Sequence, residues 1–451
     1  VILIGVDTGQ TLLSRTDRTG AFSFPSVQPG LYSVTFAKSG FKTYALNDFR
    51  VTASQRVTQD VLLEVGAVSE EVTVSANGAS PLLEPTSNEL GTLIDRESVQ
   101  QLPLNGRSFL QLGMLSGAVQ DSGTIASDFL TLQVGHADRA IIVTGHEQDM
   151  TGYLVNGIST AGTRLGHSSL NLSVAAVDQF KIHEGFFLPS EGPNTAGVIS
   201  VVTKSGTNQF HGELFEFKRN SRLDARNFFD GARTAPFHRD QFGGAAGGPI
   251  VRNRVFVFGH YEGRRQVLDE TVKATVPSAR MFAGDFSELL ALPTPIRIYD
   301  PATYDPVART RQAFAGNIIP ASRLNPMAAK LLNYYKSAPS YAPENLIGNP
   351  RTTDNYDQFG ARVDVSISTR HALYAQYAQE NSPTIYNGLF PLSGYSYPLN
   401  TKMGMAQLTS TLSPRLVNEF RVGVIRPEVF YAGEAQAGIQ NEIGFTGTAD
   451  V

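Results

Sequence analysis

The feature that most constrains this chain is a recurring alternation of apolar and polar side chains in segments of about ten residues, from about residue 206 onward. Phe359, Ala361, Val363 and Val365 face one way, and Gln358, Gly360, Arg362, Asp364 and Ser366 the other. Leu416, Phe420, Val422 and Val424 oppose Arg415, Glu419, Arg421 and Gly423, with Asn418 interrupting the apolar side. Similar runs fall near 209–220, 239–250, 253–264, 370–381 and 402–412, which makes about seven strands. A period of two with one apolar and one charged face fits a transmembrane barrel with a polar lumen. A soluble β-sandwich, whose core face would look alike, has the same period. The longest apolar runs, such as Val1–Val6 and Ala140–Val143, are strand-length. A membrane helix needs roughly 18–20 apolar residues, so a membrane protein built from this chain has to be a barrel.

Two earlier territories differ from this one. Over residues 1–68, turn signals at Thr16-Asp17-Arg18-Thr19-Gly20, Pro29-Gly30 and Lys38-Ser39-Gly40 separate short runs. Tyr32, Val34 and Phe36 alternate as in a half-buried strand, and so do Val57, Val61, Leu63 and Val65. A small antiparallel sandwich is expected. From 69 to 205 helix and strand signals mix. Asp95 is placed to cap a short helix stopped by Pro103, and a second helix would use Phe109, Leu112 and Leu115. Strands are expected at 140–144, 153–155, 179–182 and 198–203, giving a compact α/β domain.

Composition narrows the chemistry. With no cysteine among 451 residues, disulfides, thiolate metal sites and cysteine nucleophiles are excluded. A net charge of -4 implies no polyanion partner, so no nucleic acid. The eight histidines show no His-x-x-x-His pair, and there is no Gly-x-Ser-x-Gly elbow or phosphate loop. No catalytic, cofactor-binding or metal site is expected.

Longer strings carry a resemblance. "TDRTGAFSFPSVQPGLYSVTFAKSGF" (16–41) resembles the carboxypeptidase regulatory-like domain, a transthyretin-like accessory sandwich, here lacking about one opening strand. "VVTKSGTNQFHGELFEFKRNSRLDARNFF" (201–229) resembles the plug-to-barrel junction of TonB-dependent outer-membrane receptors of the Oar-like group. "RDQFGGAAGGPIVRNRVFVFGHYEGRR" (239–265) resembles the next hairpin of that group, and "AGNIIPASRLNPMAAKLLNYY" (315–335) one of its long loops. "LPLNGRSFLQL" (102–112) and "YLVNGIST" (153–160) are similar to its plug domain. The resemblance implies a mainly β protein: a sandwich over 1–68, a linker over 69–80, a plug over 81–205 and the first strands of an incomplete 22-stranded barrel over 206–451. A long extracellular loop is expected at about 266–355, with Asn325-Pro326 opening a small helix. Seven strands fall short of such a barrel, so the chain reads as the front part of a longer protein.

The resemblance also implies functional residues. Glu70, Glu71, Val72, Thr73, Val74, Ser75 and Ala76 resemble a TonB box, the segment that the periplasmic protein TonB grips by strand addition. The alternative is the last strand of the sandwich or its linker. The plug motif is Leu102, Pro103, Leu104, Asn105, Gly106 and Arg107, with Asn156 and Gly157 where the family pattern usually has Asp-Gly. Thr203, Lys204, Ser205, Gly206, Thr207 and Asn208 form the plug-to-barrel junction. Arg107 is expected to be a surface arginine near a helix or loop in preference to an ion-pair partner of the barrel wall. Gly145, Gly152, Gly157, Gly162, Gly166 and Gly185 read mostly as turn glycines. Glu213, Glu216, Lys218 and Arg219 are expected to line a solvated lumen. The implied function is TonB-dependent transport of an unknown extracellular ligand (a siderophore, oligosaccharide or peptide) across the bacterial outer membrane. The protein would be a monomer in outer-membrane lipid with its N-terminal domain in the periplasm. The alternative is an adhesion or surface-structural protein anchored by the barrel.

Overall fold

The computed structural model describes residues 1–24, 27–53, 55, 57–76, 90–121, 141–162, 167–185, 194–226, 234–269, 271–413, 416–434 and 438–445. They form three bodies in chain order: an N-terminal sandwich, a central domain and a large antiparallel sheet.

The first body carries β1 (Ile2–Gly5), β2 (Thr11–Leu13), β3 (Gly30–Phe36), β4 (Thr43–Val51) and β5 (Glu71–Ser75), in the order β2-β1-β3-β4-β5. Leu3, Tyr32, Val34 and Phe36 form its buried core, as the alternation of β3 requires. Phe22, Phe24, Val27, Val61 and Leu63 cover that face from extended segments. The strand expected over 57–65 is absent. Val61 and Leu63 pack inward, but only an isolated bridge, Phe41 to Val65, joins the segment to a neighbour. Its period reflects burial without a ladder. The outer strand is β5 instead, and it runs parallel to β4 with Thr43 opposite Glu71 and Asn47 opposite Ser75. All seven TonB-box-like residues thus complete or continue the sandwich sheet, five in β5 and Glu70 and Ala76 bonding β4 at its ends, so the sheet extends past the boundary expected at residue 68.

The central domain contains β6 (Leu90–Ile94), the helix Arg96–Gln101, β7 (Val119–Asp121), β8 (Ile141–Val143), β9 (Thr151–Val155), β10 (Ile158–Ser159), β11 (Val177–Gly185) and β12 (Gly197–Thr203). Its main sheet has the order β10-β9-β12-β11-β6, with β12 parallel to β9. Asp95 caps the helix, accepting from the Ser98 N–H at 2.9 Å. The second expected helix is a 3-10 helix, Phe109–Leu115. From Val177 to His183 every residue of β11 is buried, so this strand is covered on both faces. Gly166 lies outside the described residues.

The large sheet comprises β13 (His211–Asn220), β14 (Phe237–Val251), β15 (Val255–Asp269), β18 (Arg351–Asp354), β19 (Tyr356–Ser368), β20 (His371–Tyr386), β21 (Tyr395–Ser413), β22 (Leu416–Val429) and the short β23 (Ala432–Gly433). β18 and β19 both pair with β15 and β20, so they form one track interrupted at Asn355. All seven expected strands are present, each close to its expected place. Between β15 and β18, residues 271–350 form a folded excursion closed by β16 (Val272–Ala274) against β17 (Leu346–Gly348). In it the Asn325 side chain caps the helix Pro326–Leu331. Asn317, 2% exposed, donates to the Ile296 carbonyl and accepts from the Ile298 N–H.

Burial decides between the two architectures the alternation allowed. Along β19 the apolar side is outside, with Phe359 45% and Val363 36% exposed, whereas Gln358 and Arg362 are 2% and 5% exposed. A soluble sandwich would bury the apolar face. Here the outward rows run across the strands, Val257, Val363, Ala375, Ala406 and Val422 being register neighbours. Aromatic pairs flank this band, Phe359 with Tyr377 at 5.9 Å and Phe242 with Tyr261 at 6.3 Å. Such an outside matches hydrocarbon edged by an aromatic girdle.

Candidate functional site

The buried polar side of the large sheet faces the central domain, and the chemistry of the molecule concentrates there. At its centre stands Glu262 of β15, 0% exposed. Its carboxylate accepts from Ser173 Oγ at 2.5 Å, Gln241 Nε2 at 2.7 Å and the Tyr356 hydroxyl at 2.7 Å. Gln241 Nε2 also donates to the Gly106 carbonyl at 3.0 Å. Arg107 lies 3.5 Å from the same carboxylate, and its guanidinium sits 4.0 Å over the Phe215 ring. The expectation of a surface arginine is therefore corrected. Arg107 is the cation facing a buried wall carboxylate. Burying Glu262 without a countercharge or donors would cost several kcal/mol, and the three donors and the cation around it answer that cost.

The turn geometry places these groups. Gly106 (φ 70°) and Arg107 (φ 55°) both take the left-handed region, which turns the loop's backbone onto β14 and its guanidinium toward β15. The rest of Leu102–Arg107 is the lead-in from the helix; Leu104 packs against the central core.

A second chain of contacts runs through Asn156. Asn156 and Gly157 (φ 47° and 80°) form the two-residue turn joining β9 to β10, as an Asn-Gly pair allows. The amide uses both ends: Oδ1 accepts from the Thr203 N–H at 3.1 Å, and Nδ2 donates to Gln376 Oε1 at 2.6 Å. A carboxylate at 156 could not donate, so the departure from the Asp-Gly pattern matches what β20 presents. Arg362 of β19 donates to the Thr203 carbonyl at 3.0 Å and to the Gln28 side chain of the sandwich at 3.3 Å, and is paired with Asp364 at 2.7 Å. Further along, Glu380 accepts from the Asn171 N–H at 2.9 Å, and Thr401 donates to the Ser169 carbonyl at 2.7 Å.

The junction residues sit where the central domain becomes wall. Lys204 is 3.4 Å from Glu213, and burial depresses its ammonium below the ordinary lysine range against the opposing pull of Glu213. A Cβ on Gly206 would lie 2.5 Å from the Val257 carbonyl oxygen, so only glycine lets the chain cross this close. Thr207 and Asn208 follow, with Asn208 bonded to Asn253. The expected row Glu213, Glu216, Lys218 and Arg219 is also corrected. Phe215 and Phe217 lie beneath Arg107 and share their face with Glu213, so the alternation turns Glu216 and Lys218 outward.

Apolar packing is shared across the same interface. Ala378 and Met403 of the sheet belong to the core that contains Phe180, Ile182, Leu172 and Val99, with Ile425 packed against it. Among the described residues no group of three or more His, Asp and Glu side chains could hold a metal ion.

Sequence reasoning missed Glu262, Gln241, Tyr356, Gln376, Glu380 and Thr401. Their signal was available as large polar residues at every second position of the strands. What they meet could not be read from it.

Known proteins resemble parts of this chain. Residues 202–450 match the outer membrane beta barrel domain family, and residues 1–64 match the carboxypeptidase regulatory-like domain. The TonB-dependent transporter Oar of Myxococcus xanthus is 28% identical over 251 residues, 54% of this chain and 23% of that protein. Among solved structures, the outer membrane transporter YddB of Escherichia coli aligns with a TM-score of 0.48 at 14% identity, covering 74% of this chain and 38% of that one. The alcaligin outer membrane receptor FauA of Bordetella pertussis aligns with a TM-score of 0.39 at 11% identity, over 77% and 48%. The chain thus spans about a quarter of the curated relative's length. With over half of its residues matched and its apolar strand faces turned outward, the chain belongs to the outer membrane β-barrel domain family and is a protein of the outer membrane.

Proposed function

We propose that this chain supplies the gate and the adjoining wall of a TonB-dependent transporter. The observation that supports this reading is a folded domain packed on the inward polar side of barrel strands. A wall that served only as an anchor would have no need of it. In this reading the central domain is the plug over 81–205, and a ligand arrives from outside, where residues 271–350 form the long loop. TonB pulls from the periplasm.

The strand β5 suits TonB. The Glu70 carbonyl and the Ala76 N–H bond β4, so alternate residues 70, 72, 74 and 76 direct their main chain inward. The main chain of Glu71 and Thr73 then points to the sheet's outer edge, where an added strand would pair. In the full-length protein, Thr73→Pro should abolish binding of a purified TonB C-terminal domain in a pull-down, while Thr73→Val should retain it. Pro at an edge position removes one outward donor and leaves the β4 ladder intact. Equal binding by both variants would remove β5 from the mechanism. An adhesion protein has no use for TonB, and full-length protein without any TonB binding would favour that alternative.

A further inference from the structure

Among the described residues the sandwich hydrogen-bonds the rest of the molecule at three separate places. Its Asp7 carbonyl accepts from the Asn208 N–H at 2.9 Å. Asn208 in turn exchanges two 2.7 Å hydrogen bonds with Asn253, in the tight turn between β14 and β15. Gly9 lies against that pair, where an added Cβ would be 2.1 Å from Asn253 Oδ1. The Ala53 N–H donates to Gln179 of β11 at 3.2 Å. Gln28 meets Arg362 at 3.3 Å and Asp364 at 3.5 Å.

Two properties set this contact apart from the central domain's. Among the described residues the sandwich core takes all its members from residues 1–63, separate from the core that the central domain shares with the sheet. Between the bodies lies a cavity of about 510 Å³, lined by Gln28, Arg96, Asp178, Arg362, Glu419 and Arg421 among others. A polar, water-accessible contact of a few hydrogen bonds is the kind that separates without unfolding either side.

We propose that the sandwich is a releasable cap over the periplasmic end of the wall, and that Arg362 is the positioning residue that ties its presence to the central domain. Arg362 holds the end of β12 through the Thr203 carbonyl and the sandwich through Gln28 with one planar fork. With the cap on, Gln28 fixes the guanidinium where Thr203 needs it. With the cap off, one of the fork's anchors is gone and the end of β12 loosens. Release driven by a pull on β5 rests on the transport reading, whereas docking and its effect on β12 do not.

These 451 residues hold no cysteine, and any elsewhere in the full-length protein is first replaced by serine. In full-length protein in outer-membrane vesicles, Asp7→Cys with Arg252→Cys, beside the Gly9–Asn253 contact and outside the Gln28–Arg362–Asp364 cluster, should cross-link through a short bismaleimide at least about tenfold faster than Lys38→Cys with Arg252→Cys, because residue 38 lies past the far end of β3, roughly 20 Å away. Equal rates would overturn docking. Hydrogen exchange at Thr203 and Lys204 should then slow by at least about threefold on cross-linking. It should also quicken in Gln28→Ala, which alters a side chain outside the sandwich core. Exchange unchanged in both would overturn the tie through Arg362. Arg362→Lys should keep the charge, lose the fork, and abolish the protection given by the cross-link. Heat-modifiable gel mobility reports that each barrel is folded. No readout involves TonB, so failure here and failure of the Thr73→Pro experiment are separable.

Discussion

The central domain and the sandwich meet the same sheet on different terms. The first shares a core with it through Ala378 and Met403, and adds a fully buried carboxylate, Glu262, with donors from both sides. Among the described residues the second keeps its core to residues 1–63 and touches the wall through single hydrogen bonds beside a cavity. The difference teaches that burial alone does not rank these contacts. Arg362, 5% exposed, serves both. What distinguishes them is whether separating the bodies exposes apolar surface and orphans a charge. Both costs fall on the central domain, and little of either falls on the sandwich.

The sharpest way to break this comparison is Glu262→Ala in the full-length protein, which leaves Arg107 facing the wall without its carboxylate. Losing one partner of a buried charged network costs about 3–5 kcal/mol. Exchange protection should fall across β11 and β12 while β3 of the sandwich keeps its own. Equal losses in both bodies would mean that the two contacts are one cooperative unit. Met403→Ala comes next. Met403 is 0% exposed in the shared core, and truncation to a cavity costs about 2–5 kcal/mol, to be read from the same peptides and from a lower urea midpoint. Asn156→Asp should cost less, about 1–3 kcal/mol, by removing the donor to Gln376 while keeping the acceptor for Thr203. A neutral result would show that the Asn-Gly departure carries no contact of consequence.

The smallest expected effect concerns pH at the junction. Burial holds Lys204 below the ordinary lysine value, so the folded protein binds fewer protons than the unfolded chain between that lowered value and about 10.4. Stability at the junction therefore rises with pH through that window, the reverse of an exposed salt bridge. Lys204→Met should flatten the slope, measured as urea midpoints from neutral to alkaline pH.

Much of this was legible in the sequence, because strand period is a local property. The alternation at 358–366 located β19 and sorted its faces, and turn chemistry located the caps at Asp95 and Asn325. Partner identity is not local. Arg107 sits in a short motif whose meaning depends on Glu262, more than 150 residues away along the chain. The grouping of Glu213 with Glu216 failed on a local rule, since residues three apart in a strand face opposite ways. The strand expected at 57–65 failed for another reason, because inward packing at every second residue imitates a ladder that never forms.

The outward rows of the large sheet carry a consequence for how the molecule is made. Val422, Val424 and Phe420 stay 51%, 68% and 61% exposed when everything else is in place, so in water this part stays adhesive even when folded. The sandwich, with its closed core, can finish on its own as soon as it is free of the export machinery. The wall cannot finish until lipid is present. Between secretion and insertion the chain thus carries a closed core at residues 1–63 and an open apolar face on the wall, and that interval is when aggregation threatens it most.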